Sequence, residues 1–297
     1  MAIVFLFFSI HIFFDLYKIK FTLNDKTSFI ITIVMIIVIL IYGRIEAENI
    51  NIKEISIKTK KFPKHIESVK IAQISDVHFS IINGAKKAQK IADILKKVNP
   101  DMLLSTGDLI DRGMQEKSEI IKILSQIKTK YGNYAVTGNH EFYSGLQYSK
   151  DFTEKGGFKL LRNEYLTINN VLTLVGIDDE TGKRFNIAPS ISEIELFNSI
   201  PKELPIIVIK HQPKVDVSSD GAFDLQLSGH THNGQIFPFR FITKLFFKYN
   251  NGLYGLFQNS FIYVTAGTGT WGPPIRFLSQ PEIVIINLCK TLEAQNG

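Results

Sequence analysis

Five of the seven histidines in this chain sit in short strings of ligand-type residues. The strings are Asp76-Val77-His78, Gly107-Asp108, Gly138-Asn139-His140-Glu141, His211, and Gly229-His230-Thr231-His232, and only His11 and His65 lie elsewhere. Asp, Asn and His without Cys suit borderline or hard divalent ions such as Mn²⁺, Fe²⁺ or Zn²⁺. Seven or more such side chains exceed the needs of one four-coordinate ion. They match two ions about 3.5–4 Å apart that share a carboxylate, because a carboxylate offers two oxygens and an imidazole one free nitrogen. In extended backbone residues i and i+2 point the same way, so His230 and His232 are expected to aim at one region.

Each string alone has an ordinary explanation. Asp76 and Asn139 suit turns, Asp108 suits a helix cap, and His211 suits a satisfied core position. What argues for a site is that each string follows an apolar run that reads as a strand. The run 69–75 precedes Asp76, 102–105 precedes Asp108, 134–137 precedes Asn139, 205–209 precedes His211 and 223–227 precedes His230. The carboxyl ends of strands are where α/β sheets bind ligands.

The elements that must hold these ends follow from periodicity. Ile50, Ile52, Ile55 and Ile57 alternate as in a half-buried strand. Residues 84–98 carry Ala88, Ile91, Ile94, Leu95 and Val98 at helical spacing, closed by Pro100. Residues 116–128 form a second amphipathic helix by the same test. This β-α-β-α-β alternation predicts an α/β core, and further strands are expected over 171–177, 261–264 and 283–288. No repeat or low-complexity linker divides residues 46–297, which read as one domain.

Residues 1–45 differ. The run 27–43 is uncharged and rich in Ile and Val, apolar on every face, and ends abruptly at Arg44, as a membrane-spanning helix does. Residues 1–14 form a shorter apolar run with no basic region before it and no cleavage site after it, so a second membrane segment is expected rather than a signal peptide. Lys18, Lys20 and Lys26 lie between the runs, and Arg44, Lys53, Lys58, Lys60 and Lys61 follow the second, so the charges assign no orientation. The net charge of +6 is mild and forms no basic stripe with interleaved aromatics, which argues against nucleic acid as a partner. The single cysteine, Cys289, precludes an internal disulfide and reads as a buried small hydrophobe.

The series Asp76-x-His78, Gly107-Asp108, Gly138-Asn139-His140-Glu141, His211, Gly229-His230-x-His232 resembles the calcineurin-like metallophosphoesterases. The endings GTGTWGPPIRF (267–277) and GHTHNGQIFPF look like a membrane-associated bacterial branch that includes phosphodiesterases and UDP-diacylglucosamine pyrophosphohydrolases. The resemblance implies an α/β two-sheet sandwich flanked by helices. It implies one divalent ion on Asp76, His78 and His232, another on Asn139, His211 and His230, and Asp108 between them. It further implies hydrolysis of a phosphodiester or pyrophosphate by in-line attack of a hydroxide shared between the ions. His140 would act on the leaving oxygen, oriented by Asp111, and Gly138 and Gly229 would let the ligand turns close tightly. The string GDLIDRG also resembles the protein-phosphatase form, in which the Arg contacts phosphate, making Arg112 a candidate. No match to that form's further phosphate-binding arginine is present, which weakens the alternative of a phosphomonoesterase or protein phosphatase on a soluble substrate.

The string RFITKLFFK (240–248) reads as a helix with a broad apolar face and a basic rim. Two readings remain open for it, an interface with anionic lipid or a core-packing helix. With the N-terminal anchor, the first points to a phosphorylated lipid-linked substrate at the cell membrane.

Overall fold

The computed structural model describes residues 25–81, 83–113, 117–187, 191–216, 221–256 and 259–291. Its first element, α1 (Asp25–Glu48), contains the uncharged run. The stretch Phe29–Glu48 is long and apolar enough to cross a membrane, and 11% of its apolar window is buried. Phe29, Val34, Val38 and Ile41 are each more than half exposed. The expected segment at residues 1–14 lies outside the described residues. The change in composition near residue 46 falls inside α1 rather than in a linker.

After α1 the chain builds β1 (Asn51–Thr59), β2 (Ser68–Ile74), α2 (Ala85–Val98), β3 (Met102–Ser105), α3 (Ser118–Ser125) and β4 (Asn133–Ala135). Two helices, α4 (Asn139–Tyr143) and α5 (Leu146–Lys155), lead to the short β5 (Lys159–Leu160). There follow β6 (Glu164–Ile168), β7 (Leu172–Ile177), α6 (Glu193–Ser199), β8 (Ile206–Lys210), β9 (Leu225–Ser228), α7 (Arg240–Phe246), β10 (Gly252–Gly255) and β11 (Phe261–Val264). The chain then returns to the first sheet as β12 (Glu282–Lys290).

The first sheet has the order β1-β12-β2-β3-β4-β5 and the second β10-β11-β9-β8-β7-β6. Strands β2, β3, β4 and β5 run parallel, as do β7, β8, β9 and β11. All the strands that precede ligand strings belong to these parallel sets.

Period-2 alternation assigns the two faces of each sheet. Val69 and Ile71 of β2 join Ile207 and Ile209 of β8 in a core between the sheets. Ala72 and Ile74 face the other way, onto Ile91 and Leu95 of α2, Leu124 of α3 and Phe152 of α5. On the far side of the second sheet, Ile206 and Val208 pack on Leu196 and Phe197 of α6. The two-sheet sandwich with outer helices is the α/β core that the periodicities predicted, in the two-sheet form that the family resemblance implied.

Details depart from expectation. The helix predicted over 116–128 ends at Ser125, and Ile127 donates back to Leu124 O through a turn, yet Ile127 still packs on the same core. Apolar spacing reports burial, and a turn buries as well as a helix. Cys289 is half-buried rather than buried. Helix α7 buries none of its residues, which removes the core-packing reading of 240–248.

Candidate metal centre

The parallel strands end along one edge of the sandwich, and each delivers its polar string there. Asp76, His78, Asp108, His230 and His232 all have φ between 48° and 71°. This left-handed region is uncommon for residues other than glycine and tends to mark functional turns. The expectation of an extended GHTH backbone is thereby corrected. His230 and His232 sit on a tight turn closed by a hydrogen bond from Thr231 N to Gly229 O, and they face different partners.

His232 Nε2 stands 3.2 Å from His78 Nε2 and 3.3 Å from Asp76 Oδ1. His230 Nδ1 stands 3.1 Å from His211 Nε2, which is 3.2 Å from Asn139 Oδ1. A single oxygen, Asp108 Oδ2, lies between the two groups, 3.2 Å from His211 Nε2 and 3.7 Å from His78 Nε2. The other oxygen of Asp108 accepts from His140 N at 2.9 Å. Among the described residues, donor atoms within 4.8 Å of one another occur in three groups: Asp76, His78 and His232; His78, Asp108 and His140; and Asp108, His211 and His230.

This donor set fits divalent ions. His211 Nδ1 lies 2.9 Å from Thr106 O, a pure acceptor, so the neutral ring carries its proton there and presents a bare lone pair at Nε2. His78 Nδ1 likewise faces Asp111 Oδ1 at 2.8 Å, leaving its Nε2 bare. Both lone pairs point at carboxylate and amide oxygens, so acceptors face acceptors in a buried space that calls for positive charge. Burial disfavours a proton on His211, yet the charge and hydrogen bond of Asp108 outweigh that and hold its pKa well above the ordinary histidine range. A divalent ion answers the same attraction. His230 is pushed down to about 4 by burial and by His211, and His232 is held well below its usual range by burial, His78 and Arg276. Both are neutral rings, the form that ligates.

Around the cluster, Asp111 Oδ1 also accepts from His140 Nδ1 at 2.7 Å. Arg112 is exposed, and no described contact ties it to the cluster. Sequence reasoning gave no role to Glu141, whose carboxylate is buried and accepts from Asp108 N, Leu109 N and Gly138 N at 2.9, 2.8 and 2.6 Å. It therefore clamps the Asp108 turn to the Asn139 turn. Its position three residues after Gly138, at the reciprocal end of a capping box, was the available signal. Sequence reasoning also missed Arg276, fully buried behind His232 with Nη2 3.3 Å from His232 Nδ1.

A cavity of about 520 Å³ opens from the cluster. His78, Asp108, Asn139, His140, His230 and His232 line its floor, while Ile236, Phe239, Ile242, Phe247, Trp271 and Pro273 form an apolar wall. A second cavity of about 470 Å³ shares Asn139 and His230 and is lined by Lys183, Arg184 and Lys214.

Two buried carboxylates, four convergent imidazoles and an asparagine at strand ends form a donor set that fits two divalent ions. The family model for calcineurin-like phosphoesterases matches residues 69–234. An uncharacterised metallophosphoesterase of Aquifex aeolicus is 35% identical over 83% of this chain and 95% of its own length. One from Campylobacter jejuni is 34% identical over 89% of this chain and 70% of its own. A Danio rerio protein called a transmembrane protein with metallophosphoesterase domain is 29% identical over 87% of this chain and 62% of its own. The chain belongs to the calcineurin-like phosphoesterases and is a hydrolase of phosphoric esters that works with divalent metal.

Proposed function

We propose that this enzyme hydrolyses a phosphodiester or pyrophosphate bond in a lipid-linked substrate at a membrane surface. The observation that carries this reading is the cavity that runs from the metal-ligand floor to an apolar wall. That wall continues into α7, where Leu245 and Phe246 are 83% and 76% exposed. Near it, Phe277 packs edge-on against Tyr42 of α1 at 5.7 Å between ring centroids, so the apolar wall and the anchor share one side of the molecule. The second cavity, lined by Lys183, Arg184 and a Lys214–Glu180 ion pair, suits a polar or anionic head group. The name of the Danio rerio relative supports α1 as a membrane anchor.

In this reading Asp76, His78 and His232 would hold one ion, Asn139, His211 and His230 would hold the other, and Asp108 lies between the two groups. Divalent ions there, manganese, iron or zinc by donor type, would supply a water of lowered pKa and positive charge against the phosphoryl oxygens. His140, held by Asp111, delivers a proton to the departing oxygen. Arg112, exposed and outside the lining of both cavities, is a candidate phosphate contact on the family resemblance alone. The expected outcome for His140→Ala is a loss of about 10²–10⁴-fold in turnover with metal content retained. Asp108→Ala is expected to lose metal. Metal analysis of both variants, with diesterase rates on bis(p-nitrophenyl) phosphate and on a lipid-linked nucleotide, tests the roles. Equal metal loss from both would defeat the assignment, and a wild type that cleaves only soluble monoesters would defeat the substrate.

A further inference from the structure

The last turn of α1 is joined to the metal centre by a continuous set of hydrogen bonds. Glu46 is buried, and its two carboxylate oxygens accept from consecutive amides, Leu278 N at 3.0 Å and Ser279 N at 2.7 Å. Ser279 Oγ in turn donates to His232 O at 2.9 Å. A second path runs beside it. Gly43 O accepts from Arg276 N at 2.9 Å. The Arg276 side chain donates to Gly269 O and Ser279 O at 2.8 and 2.9 Å and stands against His232 Nδ1, the ring nitrogen remote from the cluster. The approach at Gly43 leaves no room for a side chain, since a methyl group there would lie 2.9 Å from Arg276 O.

We propose that Glu46, Ser279 and Arg276 are positioning residues for the metal centre, and that the apolar N-terminal helix serves as part of the site's frame as well as an anchor. The inference rests on the reading of His232 as a metal ligand. His232 sits at φ 48°, a strained region for a non-glycine residue, and its carbonyl is held from within the turn by Gln235 N at 2.8 Å and from outside it by Ser279. The outside contacts are on both faces of the residue. Ser279 grips its backbone carbonyl and Arg276 backs its ring. Neither contact is available without the segment 276–279, and that segment is seated on α1 through Glu46 and Gly43. A buried guanidinium needs acceptors and nearby negative charge. Arg276 has two carbonyl acceptors and lies within the influence of Asp76, Glu282 and Glu46, so α1 also supplies part of the field that keeps it in place.

The test uses the full chain in detergent, freed of metal by chelation and titrated with Co²⁺, reading stoichiometry and the visible Co²⁺ spectrum. Contacts of this outer kind typically alter metal affinity by about 10–100-fold. Ser279→Ala and Glu46→Gln are expected to weaken one of two Co²⁺ sites by that factor and to change its spectrum. Ser279→Thr, which keeps the hydroxyl, is expected to restore both. Lys61→Met, which breaks the half-exposed Lys61–Asp224 pair, is a matched stability control and is expected to bind both ions as wild type does. Wild-type affinity and spectrum in Ser279→Ala and Glu46→Gln, with metal lost from His232→Ala, would overturn the positioning role and leave the ligand reading intact. Two ions held at wild-type affinity by His232→Ala would overturn the ligand reading and the inference with it.

Discussion

Asp111 and His140 are joined at 2.7 Å, carboxylate Oδ1 to ring Nδ1. Burial works against a charged His140, but the Asp111 hydrogen bond and the charges of Asp108, Asp111 and Glu141 outweigh it and raise the pKa. A proton donor is active below its pKa, so the rate should fall as pH rises through that raised value. Asp111→Asn removes the carboxylate charge and lowers the His140 pKa, so the alkaline limb of kcat should move to lower pH. A pH profile of both proteins at saturating metal checks this, and an unmoved limb would mean that another group supplies the proton.

Glu141 makes a different prediction. Glu141→Gln replaces one acceptor oxygen by an NH₂ that must face backbone N–H groups. A buried donor left without an acceptor costs about 1–3 kcal/mol. Because the affected amides belong to Asp108, Leu109 and Gly138, the variant should melt at lower temperature and retain less metal. Thermal melts with and without added Mn²⁺ check both parts.

The exposed face of α7 should matter for one substrate class only. Phe247 belongs to the cavity wall, where it meets the His230 ring edge-on at 5.1 Å, so Leu245 and Phe246 are the surface pair to change. Burying such a side chain is worth about 1.5–3 kcal/mol, so Leu245→Glu with Phe246→Glu should lower kcat/KM on a lipid phosphodiester by about ten-fold or more. The rate on bis(p-nitrophenyl) phosphate should not change. Equal losses on both would assign α7 to the architecture of the site.

Gly229→Ala tests the ligand turn directly. The added methyl group would lie 2.0 Å from Ser75 Oγ and 2.1 Å from Asp76 Oδ2. Overpacking of this kind costs about 1–3 kcal/mol. The turn must shift, and His230 N must give up its hydrogen bonds to Asp76, both 3.0 Å. Reduced metal stoichiometry with a modest fall in melting temperature is the expected result.

The parts of this site that were legible in the sequence are those whose residue types are unusual and contiguous. Asp76-x-His78 and His230-x-His232 announce themselves because ligand chemistry needs those side chains and strand ends keep them in short strings. Ser279, Arg276 and Glu46 were not legible, because each acts on backbone or on a remote ligand, whereas Glu141 left its capping-box spacing after Gly138 as a signal. Ser279 touches His232 O across 47 positions, and Glu46 touches Ser279 N across 233. No local pattern encodes such contacts. Periodicity found the central strands and the edge strand β1 but not β5, which has two residues, or β10, which begins and ends on glycine. The apolar residues of 240–248 were ambiguous for the same reason, since hydrophobicity does not say whether another element will cover a helix.

The place of β12 has a consequence for biogenesis. It pairs with β1 on one side and β2 on the other, so two strands adjacent in the chain are separated by one made more than 190 residues later. The loop after β2 is pinned from the same late region, with Thr268 N and Gly269 N donating to Ser75 O and Asp76 O. Until that region has been made, β1 has no ladder partner and the Asp76 turn lacks its bonds from Thr268 and Gly269. The Asp76 turn therefore takes its final place only after the segment 268–290 has been made, long after α1 is complete. Until then β1 presents an open edge, the kind of edge that is prone to pair with the wrong strand.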